Sequence, residues 1–222
     1  MAIDLIFEDA DALVLDKPAG LPAQAPRRGD TSIEEMLPDL RLGFFRRPAF
    51  AHRLDRDTSG CLLLARNPKA LRRFMAAFEN RDVEKTYLAI VDGIPKEDQG
   101  RIDLALDKVS GRKAGWRIVV SPCGKSATTH WRTLAVHEDR SLLWLRPETG
   151  RTHQLRVHLA SGLGTPITGD PIYGKPHHRG MMLHAWKLHM PREGKPPIDA
   201  EAPFPRRFHD LGFVLKPQDA VA

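Results

Sequence analysis

Along this chain one strand-like run follows another with few helical patterns between them, and that succession limits the fold more than any other feature. Residues 3–7 and 12–16 read as two short strands joined by an acidic turn, and Lys17-Pro18-Ala19-Gly20 ends the second. Residues 61–65 are continuously apolar, the pattern of a strand buried on both faces. Residues 84–91, 100–106, 116–120, 127–136 and 141–146 continue the series, the last two as a hairpin turning at Glu138-Asp139-Arg140. Residues 183–190 return to strand. Helical signals are fewer. Thr31 or Ser32 caps a short helix with Glu34 and Glu35 in its first turn, where the helix dipole favours acids. Asn67-Pro68 opens a second helix, and Leu71, Phe74, Met75 and Phe78 predict its apolar face. A third covers 152–161 and stops near Gly162 or Gly164. Strands in hairpins with few intervening helices predict an α+β fold on a mixed, largely antiparallel sheet flanked by a few helices and loops.

No composition break marks a domain boundary, so one domain over 1–222 is expected. Its core spans about residues 12–190. The five prolines of 191–205 belong to a C-terminal wrap over 191–222. No stretch approaches the roughly 18 apolar residues of a membrane span, and the acidic start is unlike a secretory signal. Two cysteines, Cys61 and Cys123, are too few for a disulfide framework, which sets the expectation of a reducing cytoplasm. Lys and Arg total 34 against 28 acids, and 23 of the 34 are Arg. Arginine pairs bidentately with phosphate and stacks on bases, so a polyanionic partner is favoured over a membrane. Residues 41–56 interleave arginines with Phe44, Phe45 and Phe50, the composition of phosphate and stacking contacts.

Two segments look like chemistry. In residues 51–60, Asp55 has Arg53 and Arg56 as near neighbours, and a carboxylate among cations stays ionised, as a nucleophile or base must. A surface turn built by Asp57, Thr58 and Ser59 accounts for the same residues without chemistry. In residues 148–159, a helix would place Arg151 and Leu155 on one face, as a cation beside an apolar contact; a solvated basic face explains it equally. The spacing of the histidines predicts no metal site, since His153 and His158, like His184 and His189, are five apart. Phosphate-loop, dinucleotide and serine-hydrolase motifs are missing from the sequence.

Together, HRLDRDTSG (52–60) and GRTHQLRVHLA (150–160) resemble the two signature blocks of the RluA family of RNA pseudouridine synthases. The resemblance extends in order through LDKPAGLPA (15–23), EKTYLAIVDG (84–93), GDPIYG (169–174) and LHAWKL (183–188). It implies the pseudouridine synthase catalytic fold and an enzyme that needs no cofactor. Such an enzyme detaches uracil within an RNA chain, rotates it and rejoins it through a carbon–carbon bond. Asp55 then is the essential carboxylate, Tyr87 stacks on the base and relays a proton, and Arg151 pairs with Asp55. Leu155 presses on the base, Arg53 fills the gap left by the extruded uridine, and His52 and Arg56 complete the substrate-binding set. Base extrusion, aromatic stacking and a carboxylate facing positive charge at the sugar all accord with those roles.

Many members of that family carry an RNA-binding appendage ahead of the catalytic domain. Here the KPAG segment begins at residue 17, so the expectation is that this domain itself selects a transfer or ribosomal RNA stem-loop, as a monomer. Cys61 follows the signature Gly60 and reads as a small buried group. A non-catalytic RNA-binding protein and a hydrolase releasing free uracil are the alternatives.

Overall fold

The structure is a computed structural model that describes residues 3–25, 31–111 and 115–216. Its strands are, in order, β1 (Leu5–Glu8), β2 (Ala12–Lys17), β3 (Ala49–Phe50), β4 (Ser59–Ala65), β5 (Glu84–Asp92), β6 (Gln99–Asp103), β7 (Leu106–Gly111), β8 (Gly115–Val120), β9 (Thr128–His137), β10 (Arg140–Pro147), β11 (Leu183–Met190) and β12 (Ile198–Glu201). The helices are α1 (Ile33–Met36), α2 (Pro68–Asn80), α3 (Gln154–Val157) and α4 (Arg206–His209). The chain divides inside β5 into two compact units, Met1–Lys85 with His184–Pro203 and Thr86–Leu183 with Phe204–Ala222. The architecture is α+β; within the first unit β1–β2, β2–β4, β3–β4 and β11–β12 pair antiparallel and β11 runs parallel to β4, and in the second unit β5–β10, β9–β10, β6–β9 and β7–β8 pair antiparallel.

In the first unit β4 is the central strand, and all seven of its residues are buried. β2 lies antiparallel along its length, from Ala12 opposite Ala65 to Lys17 opposite Gly60. Its other side meets β11 at Ser59 and Gly60 and β3 at Leu64 and Ala65. A strand covered this way has no solvent face, which is why residues 61–65 carry no polar alternation. α2 starts as its sequence predicts: the Asn67 side chain accepts the Ala70 amide at 2.8 Å and Pro68 occupies the first helical position. Its inward face is Ala70, Leu71, Phe74, Ala77 and Phe78. Met75, expected on that face, is instead 54% exposed. One step of 100° carries it past the edge of the stripe. α1 follows Ser32 as expected, but the Ser32 hydroxyl makes no capping bond and is buried without a partner among the described residues. Residues 24–30 (QAPRRGD) read from their composition as a polar loop, and residues 26–30 of it lie outside the described residues.

The second unit orders its strands β5-β10-β9-β6, with the β7–β8 hairpin paired apart from them. β9 and β10 turn through Glu138 and Asp139, with His137 opposite Arg140. The strand expected over 100–106 is two strands, because the chain leaves β6 after Asp103 and pairs Leu106 with Val120 of β8. The third helix starts later than expected, at Gln154, and changes after Val157 into a wider π turn over His158–Leu163 that ends at Gly164. The described part of the C-terminal wrap, residues 191–216, holds two regular elements. β12 pairs with β11 in the first unit, and α4 buries Phe208 in the second.

Candidate active site

Asp55 sits in a tight turn, half-buried, where the Thr58 amide donates to its carbonyl at 3.2 Å. Of the expected turn residues, Asp57 and Thr58 lie in this turn, while Ser59 already belongs to β4. What fixes the turn is a lysine. Lys17 is fully buried, and its ammonium donates to the carbonyls of Pro18 (2.8 Å), Leu21 (2.7 Å) and Arg56 (2.8 Å). The Gly20 amide donates to the Arg56 carbonyl at 3.0 Å, and Arg56 Nε donates back to the Gly20 carbonyl at 3.0 Å. Burying an ammonium is costly unless its hydrogens are all taken, and here carbonyls of two loops take them. Arg56 therefore serves its own loop as well as carrying charge. Arg53 is exposed and reaches Gln24 Oε1 at 3.5 Å.

The turn runs into β4 through Gly60, whose φ is +100°. A Cβ there would lie 2.1 Å from the Ala185 carbonyl oxygen, so the parallel pairing of β4 and β11 requires glycine. Beside it, Ser59 Oγ and His184 Nδ1 are 2.8 Å apart in the core. His52 faces inward. Its Nε2 accepts the Leu63 amide at 2.9 Å and its ring stacks on Phe78 at 4.7 Å. An imidazole nitrogen that accepts an amide carries no proton. Burial, and after it the nearby Lys85 ammonium, pushes the His52 pKa down to about 3. His52 completes the hydrogen bonding of β4 where β3 ends. Cys61 is also buried, its thiol donating toward the Trp186 carbonyl at 3.3 Å, and burial pushes it up to about 12.

In the second unit, Tyr87 is half-buried on β5 opposite Leu145 of β10. Arg151 is exposed and precedes α3, so the shared helical face expected for Arg151 and Leu155 does not exist. His153 intervenes in the left-handed region at φ +52°. Leu155, on the helix, is 7% exposed. Arg151 is placed by its neighbours: its amide donates to Gln154 Oε1 at 3.1 Å and its Nε donates to the Ser126 carbonyl at 3.2 Å. Gln154 is buried and anchors the entry to the helix. Its Oε1 also accepts from Thr149 Oγ1 at 2.6 Å, and its Nε2 donates to the Thr128 carbonyl (2.9 Å) and Thr129 Oγ1 (3.0 Å).

Below it lies a buried bidentate ion pair. Arg156 Nε and Nη2 donate to the two Asp170 oxygens at 2.7 and 2.8 Å, with exposures of 4% and 0%. Asp170 Oδ1 also accepts the Ile172 and Tyr173 amides at 2.9 and 3.1 Å. Burial alone would raise the Asp170 carboxyl, but Arg156 and the two amides outweigh it and hold the group below its usual range. Asp170 thereby ties the 169–174 segment to α3. The Tyr173 hydroxyl accepts the Ile118 amide at 2.9 Å and meets His153 Nδ1 at 2.9 Å. Lys17, Gln154, Arg156, Asp170 and Tyr173 were not singled out from sequence. Their signal is the position of each inside a signature segment without a chemical task there.

Among the described residues no cluster of three or more His, Cys, Asp or Glu is arranged to hold a metal ion. No helix among them is long and apolar enough to cross a membrane.

Comparison with known proteins places this geometry. Residues 11–161 match the family model described as RNA pseudouridylate synthase. An uncharacterised RNA pseudouridine synthase of Zymomonas mobilis is 55% identical over 216 residues, covering 96% of this chain and 99% of that protein. Ribosomal large subunit pseudouridine synthase D of the same organism is 37% identical over 235 residues, or 96% of this chain and 72% of that one. Among solved structures, human RNA pseudouridylate synthase domain containing 1 is similar with a TM-score of 0.77 at 30% identity, covering 92% of this chain and 84% of that one. Scaffold and matches together define an RNA-modifying enzyme of α+β fold. The chain belongs to the RNA pseudouridylate synthase family, whose reaction is the isomerisation of uridine to pseudouridine within RNA.

Proposed function

We propose that Asp55 is the essential carboxylate of this isomerisation, with Arg151 as its ion-pair partner and Tyr87 stacked on the extruded uracil. Leu155 supports the opposite face of the ring. Arg53 occupies the vacancy in the RNA stack, and Arg56 adds charge at the entrance. His52 contributes as a positioning residue, through the β4 backbone. The whole chain works as one catalytic domain, a monomer in the cytoplasm that takes a transfer or ribosomal RNA stem-loop and requires no cofactor. The observation that carries the reading is a half-buried Asp55 in a turn secured by Lys17, inside a segment that matches the family.

The chemistry follows from the groups. The bond between N1 of uracil and C1′ of ribose breaks, which builds positive charge at C1′ that a fixed carboxylate stabilises. The detached ring turns until C5 faces C1′, a C5–C1′ bond forms, and C5 loses its proton. Tyr87 is the relay for that proton, and N1, which kept the electron pair of the broken bond, takes up a proton in its place, so the product is an isomer of the substrate. A guanidinium beside Asp55 keeps the carboxylate aimed throughout.

Asp55→Asn is expected to lower pseudouridine formation by at least about 10³-fold while RNA binding survives. Conversion equal to wild type refutes the assignment, and free uracil in place of pseudouridine selects a hydrolase. Mapping pseudouridine in RNA from cells with and without this protein identifies the target uridine.

A further inference from the structure

Residues 41–48 form a surface loop in the first unit whose two neighbouring phenylalanines are treated oppositely. Phe44 is taken up by Arg66, whose guanidinium lies 3.6 Å from the centre of its ring. Phe45 is 94% exposed, more than any other large apolar side chain among the described residues. Arg46 and Arg47, which follow it, are exposed as well.

The loop is built, not slack. Arg66 is 4% exposed, and its Nη1 donates to Glu8 Oε1 at 2.7 Å and to the Asp9 carbonyl at 3.0 Å. Its Nη2 donates to the loop carbonyls of Leu42 (3.2 Å) and Arg41 (3.4 Å). Within the loop the Phe44 amide donates to the Arg41 carbonyl at 2.9 Å. Arg41 Nε donates to the Pro38 carbonyl at 2.9 Å. Pro48 is buried at the far end, where the chain enters β3. Leu42, a branched residue, is held in the left-handed region at φ +46°. Backbone strain of this kind persists where surrounding contacts over-determine it, and it concentrates at sites of function. A buried guanidinium and a strained residue are spent here on a loop that keeps one aromatic ring in water.

We propose that Phe45 is a stacking platform for an unpaired base of the RNA substrate other than the uridine that reacts, with Arg46 and Arg47 on the adjoining phosphates. This rests on the reading of the chain as an enzyme acting on RNA. An exposed flat ring followed by two exposed arginines has the chemistry of single-strand recognition: a π face for any base and planar forks for phosphate oxygens. Because the anchor is Arg66, deep in the unit, the backbone that carries the ring is held in place, and the loop needs little ordering on binding.

The experiment is binding of a short RNA hairpin carrying 2-aminopurine in its unpaired loop, together with turnover on transfer RNA and ribosomal RNA from cells lacking the protein. Phe45→Ala is expected to weaken hairpin binding roughly tenfold and to lift most of the 2-aminopurine quenching. It should raise KM for the RNA that is converted by a similar factor, while the melting temperature stays at the wild-type value. Phe45→Trp restores binding and Phe45→Leu does not. Replacing Arg46 and Arg47 together by Gln lowers the salt dependence of binding by about two in log–log slope. Wild-type affinity in Phe45→Ala overturns the proposal, and so does full rescue by leucine. Loss of binding to anionic lipid vesicles, with RNA binding intact, overturns it in favour of a membrane contact. If wild type makes pseudouridine, Asp55→Asn does not, and Phe45→Ala binds normally, this inference alone has failed. If wild type makes none on either RNA, the enzyme assignment has failed, and quenching still reports on Phe45.

Discussion

Residues 52–60 and residues 150–160 carry the two signature blocks, and their units hold them by different means. Around Asp55 the fastening is a neutral imidazole, a glycine pressed against a carbonyl and one ammonium shared among backbone oxygens. Around Arg151 it is a buried guanidinium–carboxylate pair and an amide side chain with four hydrogen bonds. The first arrangement fails when a buried histidine is forced to charge. The second fails when a carboxylate is neutralised or its partner is removed. The two blocks should therefore respond to acid at different pH and to mutation by different amounts.

The largest effect expected is in the second unit. Arg156→Met strands a buried Asp170 charge and should cost about 4 kcal/mol, read as a shift in urea or thermal unfolding. Arg156→Met combined with Asp170→Leu should recover most of that loss, and failure to do so means the pair itself is what the fold needs. In the first unit Gly60→Ala introduces a Cβ that cannot coexist with the Ala185 carbonyl, at a φ that disfavours it, and should cost about 3 kcal/mol.

Acid sharpens the contrast. The unfolded chain protonates His52 near 6.5, whereas the folded chain resists until about 3, so stability is present above 6.5 and falls as pH drops toward 3. The slope should approach about 1 kcal/mol per pH unit between pH 6 and pH 4, and His52→Gln should flatten it. Asp170 behaves with the opposite chemistry and a lower window. Its depressed carboxyl stabilises the fold above the usual carboxylate range, and that contribution disappears only as pH falls below about 4. Asp170→Asn should leave the slope above pH 5 unchanged. The smallest effect is chemical: a thiol reagent at neutral pH should label exposed Cys123 in the native protein, and Cys61 only after unfolding.

Legibility also differed between the regions. The apolar run of β4, the Asn67-Pro68 start of α2 and the β9–β10 hairpin are local patterns, and each formed where its residues predict. The entry to α3 did not. Its start depends on Gln154 bonding to Thr128 and Thr129, more than 20 residues away, and no periodicity encodes such a partner. Met75 was misplaced because a stripe read at i, i+3, i+4 and i+7 does not say where the stripe ends. His52 shows the same limit at the site. Its place in the HRLDRDTSG block marks it as relevant, while its task is set by a β4 amide eleven residues on. Ion pairs such as Arg156–Asp170 are invisible in composition because the same residues, if exposed, read as solvated charge.

Lys17 shows how such a molecule can mislead an experimenter. One side chain rivets the Pro18 and Leu21 carbonyls to that of Arg56, 39 positions along the chain. Removing it would loosen the floor beneath Asp55 without altering any reagent, so an alanine scan scored by product alone would rank a fastener among the chemists.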